Sequence, residues 1–213
     1  MQGVIFDIDG TLVESYHLDG ECYRQAVVEV VGDVSFRSDW GDYPFVTDEG
    51  ILRQVYSDNA LIFKHSRDVR SRFGQLVAKR LSLVPTSCAA TPGACELVEK
   101  LRVDPNFQIG FATGGWRHTA HLKLDHVGIR HARIPFRSSD DSYDRIEIME
   151  SCRAAIGCSP GDVVYVGDGE WDMRATKELG WRFIGIGSRL KNESRVWIPD
   201  FESCDFLALI DSL

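Results

Sequence analysis

The chain has 213 residues, of which 44% are hydrophobic and 26% are charged, and its formal net charge is −8. These proportions are typical of a globular protein and exclude a disordered or fibrous chain. The acidic balance argues against a binder of nucleic acid or of membrane surfaces, because such proteins display clustered Lys and Arg. An anionic substrate would therefore need a metal ion.

The cysteines and the apolar segments are typical of a protein in a reducing, cytoplasmic compartment. The six cysteines form no C-x-x-C pair and no Cys/His spacing typical of zinc sites. No stretch approaches the roughly 20 apolar residues of a membrane span, and no basic and then apolar leader precedes the first strand. We therefore expect a cytoplasmic monomer or homodimer with no membrane partner and no nucleic-acid partner.

The first predicted strand ends in two carboxylates. Residues 4–6 form a continuous β-forming apolar run, which predicts a strand that is buried on both faces of a parallel sheet. Asp7 and Asp9 follow, and residues two apart on an extended strand project to the same side. Their like charges would need a cation between them. A strand end capped by an ordinary Asx turn is also compatible with this run.

Residues 14–90 have a helical pattern. Apolar residues recur at steps of three and four over residues 18–30, around 51–56 and over 69–83, and no strand alternation persists between them. The segment therefore predicts a small all-helical domain that is inserted after the first strand.

The remaining residues, 1–13 and 91–213, alternate between strand and helix. Such alternation implies right-handed crossovers and a parallel sheet with helices on both faces, which is an α/β domain. Thr91 and Asp144 are good N-caps for two of the helices. The later strands are predicted at 107–112, 134–136, 163–166 and 182–186, the second of these at an edge because of its proline.

Polar side chains follow the strands of this predicted sheet. Ligands of open α/β sheets bind outside the carboxyl ends of the strands, so these side chains would converge on one rim. Hard oxygen ligands in this number suit Mg²⁺, which bridges carboxylates to substrate phosphate. The groups are four carboxylates, one hydroxyl and one guanidinium: Asp7, Asp9, Asp168, Asp172, Thr113 and Arg145.

The motifs at these strand ends resemble those of the haloacid dehalogenase superfamily of phosphatases and phosphotransferases. The matching runs are 7–11, 111–114 and 167–172. The insertion between the first two motifs resembles the helical cap of the subfamily that includes phosphoglycolate phosphatases and β-phosphoglucomutases. The resemblance implies a Rossmann-like core, a cap that closes over the rim and a small phosphorylated metabolite as substrate.

The resemblance also implies roles for the acidic residues. Asp7 would attack phosphorus to form an aspartyl-phosphate, while Asp9 would protonate the leaving oxygen and later activate water. Mg²⁺ would be held by the Asp7 side chain, the Asp9 backbone carbonyl and Asp168, with Asp172 acting through water.

The phosphate-binding groups include one departure from the family pattern. Thr113 and the amides of Gly114 and Ile8 are expected to hold phosphate oxygens. The family usually places a lysine just before the helix that leads to the fourth strand, where this chain has Arg145. Arg145 offers a fixed charge and a fork of donors, so we assign it this role. Lys123 is the alternative, but its position in the preceding helix predicts an exposed side chain.

The predicted function is a Mg²⁺-dependent phosphatase that acts on a small phosphorylated metabolite through a phosphoenzyme on Asp7. A phosphotransferase or sugar phosphomutase on the same scaffold is the nearest alternative, and a non-catalytic binding module is a third. Trp116 and Trp171 are candidates to line the pocket, and Glu14 and His17 are candidates for contact with the organic part of the substrate.

Overall fold

The computed structural model describes residues 1–213, which form eight strands and eight α-helices. None of these helices combines the length and the apolar character needed to span a bilayer. The strands are β1 (Gln2–Phe6), β2 (Val13–Glu14), β3 (Ala89–Ala90), β4 (Phe107–Ala112), β5 (Phe136–Arg137), β6 (Val163–Gly167), β7 (Arg182–Ile186) and β8 (Trp197–Ile198). The helices are α1 (Tyr16–Val31), α2 (Asp48–Asp58), α3 (Ser66–Leu83), α4 (Ala94–Val103), α5 (Arg117–Val127), α6 (Arg145–Ile156), α7 (Glu170–Leu179) and α8 (Phe206–Asp211).

Six strands form one parallel sheet in the order β5-β4-β1-β6-β7-β8. The prediction of an α/β fold with a parallel sheet is confirmed. β5 lies at the edge, as the proline before it predicts. β1 lies inside the sheet between β4 and β6, so the loops that follow these three strands meet at one rim.

Alternate residues of β1 enter two hydrophobic cores on opposite faces of the sheet. Val4 and Phe6 belong to the larger core, which also contains residues of α1 to α5 and of α8. Ile5 belongs to a smaller core beneath α6 and α7. All three side chains are fully buried. A strand covered on both faces needs a continuous apolar run, and residues 4–6 supply it.

Helices α1, α2 and α3 lie between the two-residue strands β2 and β3. These strands pair antiparallel, with Val13 opposite Ala90 and Glu14 opposite Ala89. Both ends of the helical segment are therefore held side by side. The sequence does not predict this pair, because two residues are too few to show strand alternation.

Helix α4 begins differently from the prediction. Thr91 is not its N-cap, because Gly93 takes that position in the left-handed region with φ of 78°. The Thr91 N–H donates to the Leu12 carbonyl (3.0 Å), and the Pro92 carbonyl accepts from the Phe201 N–H (3.0 Å). The backbone here pairs with neighbouring segments, so the helix starts only after a turn that favours glycine.

Strand β8 and helix α8 lie beyond the predicted elements. Two aromatic rings of this region pack on β1, since the ring centroids of Phe201 and Phe206 are 6.0 and 6.2 Å from that of Phe6. Aromatic pairs at such distances stabilise a core. The C-terminal region therefore completes the larger core, on the face of the sheet to which Phe6 points.

Candidate active site

Three buried carboxylates meet at the rim of the sheet. Asp7 follows β1, Asp168 follows β6, and Asp172 lies in the first turn of α7. One oxygen of each lies within 4.8 Å of the others. Asp7 Oδ1 and Asp168 Oδ1 have no hydrogen-bond partner, and the Asp9 carbonyl accepts no backbone hydrogen bond. Unsatisfied hard oxygen atoms in this arrangement fit a divalent cation such as Mg²⁺.

The electrostatics of this triad also favour a bound cation. Burial raises the pKa of Asp7, and the charge of Asp172 raises it further. Burial, followed by the charge of Asp172, raises the pKa of Asp168 to about 7. Carboxylates so close together repel one another when ionised, and a divalent cation would remove this repulsion.

Arg145 supplies a positive charge to the triad. It is the first residue of α6, whose N-cap Asp144 accepts from the Ile146 N–H (2.8 Å) as predicted. The guanidinium donates to Asp172 Oδ1 (2.8 Å) and lies 3.7 Å from Asp7 Oδ2. Burial alone would lower the pKa of Arg145, but the charges of Asp172 and Asp7 outweigh it and raise the pKa. The arginine therefore stays charged beside Asp7.

Asp9 has a separate set of partners. Its Oδ1 accepts from the Ser15 hydroxyl (2.5 Å) and from the Lys123 ammonium. Burial would raise the pKa of Asp9, but the Lys123 charge and the hydrogen bonds to this carboxylate hold it below its usual value. The repulsion expected between Asp7 and Asp9 is therefore relieved by two cations, Arg145 for the first and Lys123 for the second.

Lys123 is buried, and the prediction of an exposed side chain is wrong. Its side chain is 1% exposed and also donates to Asp19 Oδ2 (2.6 Å). The sequence carried a signal for this position, because Lys123 lies three residues after Ala120 and next to Leu124, on the buried face of α5. A lysine within an apolar stripe indicates a buried and paired charge.

The structure also brings together the groups predicted to hold phosphate. Thr113 is buried after β4, and its hydroxyl accepts from the Gly115 N–H (3.0 Å). The amides of Ile8 and Gly114 donate no hydrogen bond within the chain. A Cβ at Gly114 would overlap both the Arg145 guanidinium and the backbone carbonyl oxygen of Val46, so only glycine fits beside them.

A cavity of about 110 Å³ lies over these residues. Trp171 lines it, whereas Trp116 is fully buried and stacks on Tyr23. Glu14 and His17 line a neighbouring depression instead. Sequence reasoning missed the lining residues of the helical segment and its flanks: Tyr16, Asp19, Tyr23, Trp40, Asp48 and Ile51.

Comparison with known protein families shows to which family the chain belongs. Residues 1–180 match the model of the haloacid dehalogenase-like hydrolases. The chain therefore belongs to this family of hydrolases, as the motifs at the strand ends predict.

Individual relatives are more distant. The chain is 25% identical over 189 residues to a phosphoglycolate phosphatase of Synechococcus elongatus, with 87% of this chain and 84% of the relative covered. It is 24% identical over 202 residues to a phosphoserine phosphatase of Archaeoglobus fulgidus, with 88% of this chain covered, and it spans only 52% of that protein. The crystal structure of CbbY from Rhodobacter sphaeroides in complex with phosphate has the same fold, with a TM-score of 0.78, 16% identity and 99% of both chains covered.

Proposed function

We propose that this protein is a Mg²⁺-dependent phosphatase that hydrolyses a small phosphorylated metabolite through an aspartyl-phosphate on Asp7. The observation that carries the proposal is the buried triad of Asp7, Asp168 and Asp172, in which two carboxylate oxygens have no protein partner. Membership of a hydrolase family and two relatives with phosphatase names support it.

The proposed reaction has two displacements at phosphorus. A carboxylate oxygen of Asp7 forms a bond to phosphorus while the bond to the ester oxygen breaks, and Asp9, in its protonated form, donates its proton to that leaving oxygen. Lys123 and Ser15 would then stabilise the Asp9 carboxylate that remains. Asp9 then removes a proton from water, which attacks the aspartyl-phosphate and restores the Asp7 carboxylate. Arg145, the Thr113 hydroxyl and the free amides near Asp7 would balance the charge of the phosphoryl oxygens.

The metal site is proposed from the free oxygen atoms. The Asp7 and Asp168 side chains and the Asp9 carbonyl would hold the ion directly. Asp172 would act indirectly, because its two oxygens already accept from Arg145 (2.8 Å) and from the Gly169 N–H (3.1 Å). When bound, Mg²⁺ would supply positive charge to the phosphate and orient it.

We propose that residues 14–90 are a cap domain over a core of residues 1–13 and 91–213. Side chains of both parts line the cavity, among them Asp19 and Asp48 from the helices and Asp7 from the core. The cavity of about 110 Å³ is smaller than the usual pocket for a drug-sized ligand, which favours a small phosphomonoester over a macromolecule. Exclusion of water by such a cap would favour transfer to Asp7.

The test compares phosphate release from an aryl phosphate by wild type and by Asp7→Asn, with Mg²⁺ and with a chelator. We expect activity that requires Mg²⁺ and a loss of at least about a thousandfold in Asp7→Asn. Asp33→Asn is the matched control, because Asp33 is exposed and outside the site. Full activity in Asp7→Asn would contradict the covalent mechanism. Turnover that needs a bisphosphate activator and releases no phosphate to water would instead indicate a phosphotransferase.

A further inference from the structure

The Asp9 carboxylate is held by one of its two oxygens. Oδ1 accepts from both the Ser15 hydroxyl and the Lys123 ammonium. No donor of the chain contacts Oδ2, which lies 3.2 Å from the point where a Cβ would stand at Gly115. The Asp9 side chain is 24% exposed and lines the cavity. The free oxygen is therefore the one available to a substrate.

The cation that holds Asp9 is itself fixed. Lys123 projects from α5, is 1% exposed, and is anchored on its other side by Asp19 of α1 at 2.6 Å. A buried ammonium with two carboxylate partners has little freedom to move, because leaving either partner would strand a charge in a poorly solvated place. Lys123 is therefore a rigid support and contacts neither Asp7 nor Asp172 within salt-bridge distance.

We propose that Lys123, together with Ser15, is a positioning residue that fixes the Asp9 carboxylate so that Oδ2 faces the ester oxygen of the substrate. This inference rests on the proposed function, since it assigns a support to the proton donor of that reaction. The role differs from that of Arg145, which contacts Asp7 and Asp172 and would face the phosphoryl group of a bound substrate. Because Asp19 belongs to α1, the same lysine also joins the helical segment to the proton donor.

A purely structural ion pair and a positioning role make different predictions about the leaving group. A correctly placed acid raises the rate of cleavage most when the leaving group is a strongly basic alkoxide. It raises the rate less when the leaving group is a phenolate, which can leave without a proton. Loss of the Lys123 support should therefore slow the hydrolysis of alkyl phosphates more than that of nitrophenyl phosphate. A simple loss of folded protein would reduce both activities by the same factor.

The experiment measures kcat/KM with glycerol phosphate and with nitrophenyl phosphate, since this constant reports the first displacement. Lys123→Met is expected to lower the alkyl value about a hundredfold and the aryl value no more than about tenfold. Ser15→Ala removes one hydrogen bond without changing a charge, so it is the second variant if Lys123→Met does not fold. We expect Ser15→Ala to lower the ratio of the alkyl kcat/KM to the aryl kcat/KM, as Lys123→Met does, by about threefold to tenfold.

Two further variants sharpen the result. Lys123→Arg should recover part of the ratio, and Asp19→Asn, which leaves Lys123 on Asp9, should change it less than Lys123→Met does. Lys100→Met is the matched control, because Lys100 is exposed and has no ion-pair partner. Equal losses on both substrates, or an unchanged ratio, would overturn the positioning role. Full activity in Asp7→Asn would overturn the proposed function instead, so the two failures are distinguishable.

Discussion

Asp48 is a carboxylate at the first residue of α2 that faces the cavity. Its Oδ2 accepts from the Trp116 N–H (2.7 Å), and it has no cationic partner within salt-bridge distance. Burial is the main cause that raises its pKa from 3.8 to about 7. The group is therefore costly to ionise in the folded protein.

We expect Asp48→Asn to stabilise the protein at pH 8 more than at pH 4.5. The unfolded chain releases this proton near pH 4 and the folded chain only near pH 7, so the wild type loses stability as the pH rises between these values. Asparagine does not titrate and can still accept from Trp116. The gain should be on the order of 2 kcal/mol at pH 8, after allowance for the partial exposure of Asp48.

Chemical denaturation at the two pH values measures this difference. Asp33→Asn is the control, because that exposed carboxylate is expected to shift stability little at either pH. A stability difference between Asp48→Asn and wild type that does not change with pH would contradict the assignment of a raised pKa.

At the scale of elements, the start of α2 joins the helical segment to the loops of the sheet domain. The Thr47 hydroxyl caps α2 by accepting from the Gly50 N–H (3.1 Å) and also donates to the Tyr143 carbonyl (2.8 Å). The Asp48 N–H donates to the Gly114 carbonyl (2.8 Å). This helix terminus is therefore held by the same loops that carry the proposed phosphate site.

We expect Thr47→Val to lower the free energy of unfolding by about 1–2 kcal/mol, because it keeps the shape of Thr47 and removes both hydrogen bonds of a buried hydroxyl. For a chain of this size the melting temperature should fall by roughly 3–6 °C. Thr86→Val, at an exposed position without such bonds, is the control and should leave the melting temperature unchanged. An equal melting temperature for Thr47→Val and wild type would contradict the role of this cap.

The helices and long strands follow from the sequence, but the details of their ends do not. The predicted N-cap Asp144 is present, but the Glu147 side chain, three residues later, does not accept from the Asp144 N–H to complete a capping box. The Ser142 hydroxyl bridges the two residues instead, because it donates to the Glu147 carboxylate (2.6 Å) and accepts from the Asp144 N–H (3.0 Å). Local periodicity predicts which face of an element is buried. It cannot predict which neighbouring segment takes a terminal hydrogen bond, because that choice is made by tertiary contacts.

At the scale of the whole molecule, the sheet brings together residues that are far apart in the chain. Asp7 and Asp168 converge because β1 and β6 are adjacent and parallel, which the strand and helix pattern predicts. The contact of Lys123 with Asp19 could not be predicted in this way. It depends on how α1 packs against α3 and how α3 packs against α5, and none of these helix patterns specifies its partner.

Magnesium should stabilise the whole fold, and more strongly at pH 7.5 than at pH 5.5. Burial raises the pKa of Asp168 to about 7 and also raises that of Asp7, so protons compete with the metal below neutrality. At a concentration about 100 times the dissociation constant, binding to the folded state alone adds about 2.7 kcal/mol, or roughly 5–10 °C in melting temperature. Thermal melts with and without Mg²⁺ measure the shift, which should vanish in Asp168→Asn and persist in Asp33→Asn. A shift of equal size at both pH values, or one retained in Asp168→Asn, would show that the ion binds elsewhere than at the triad.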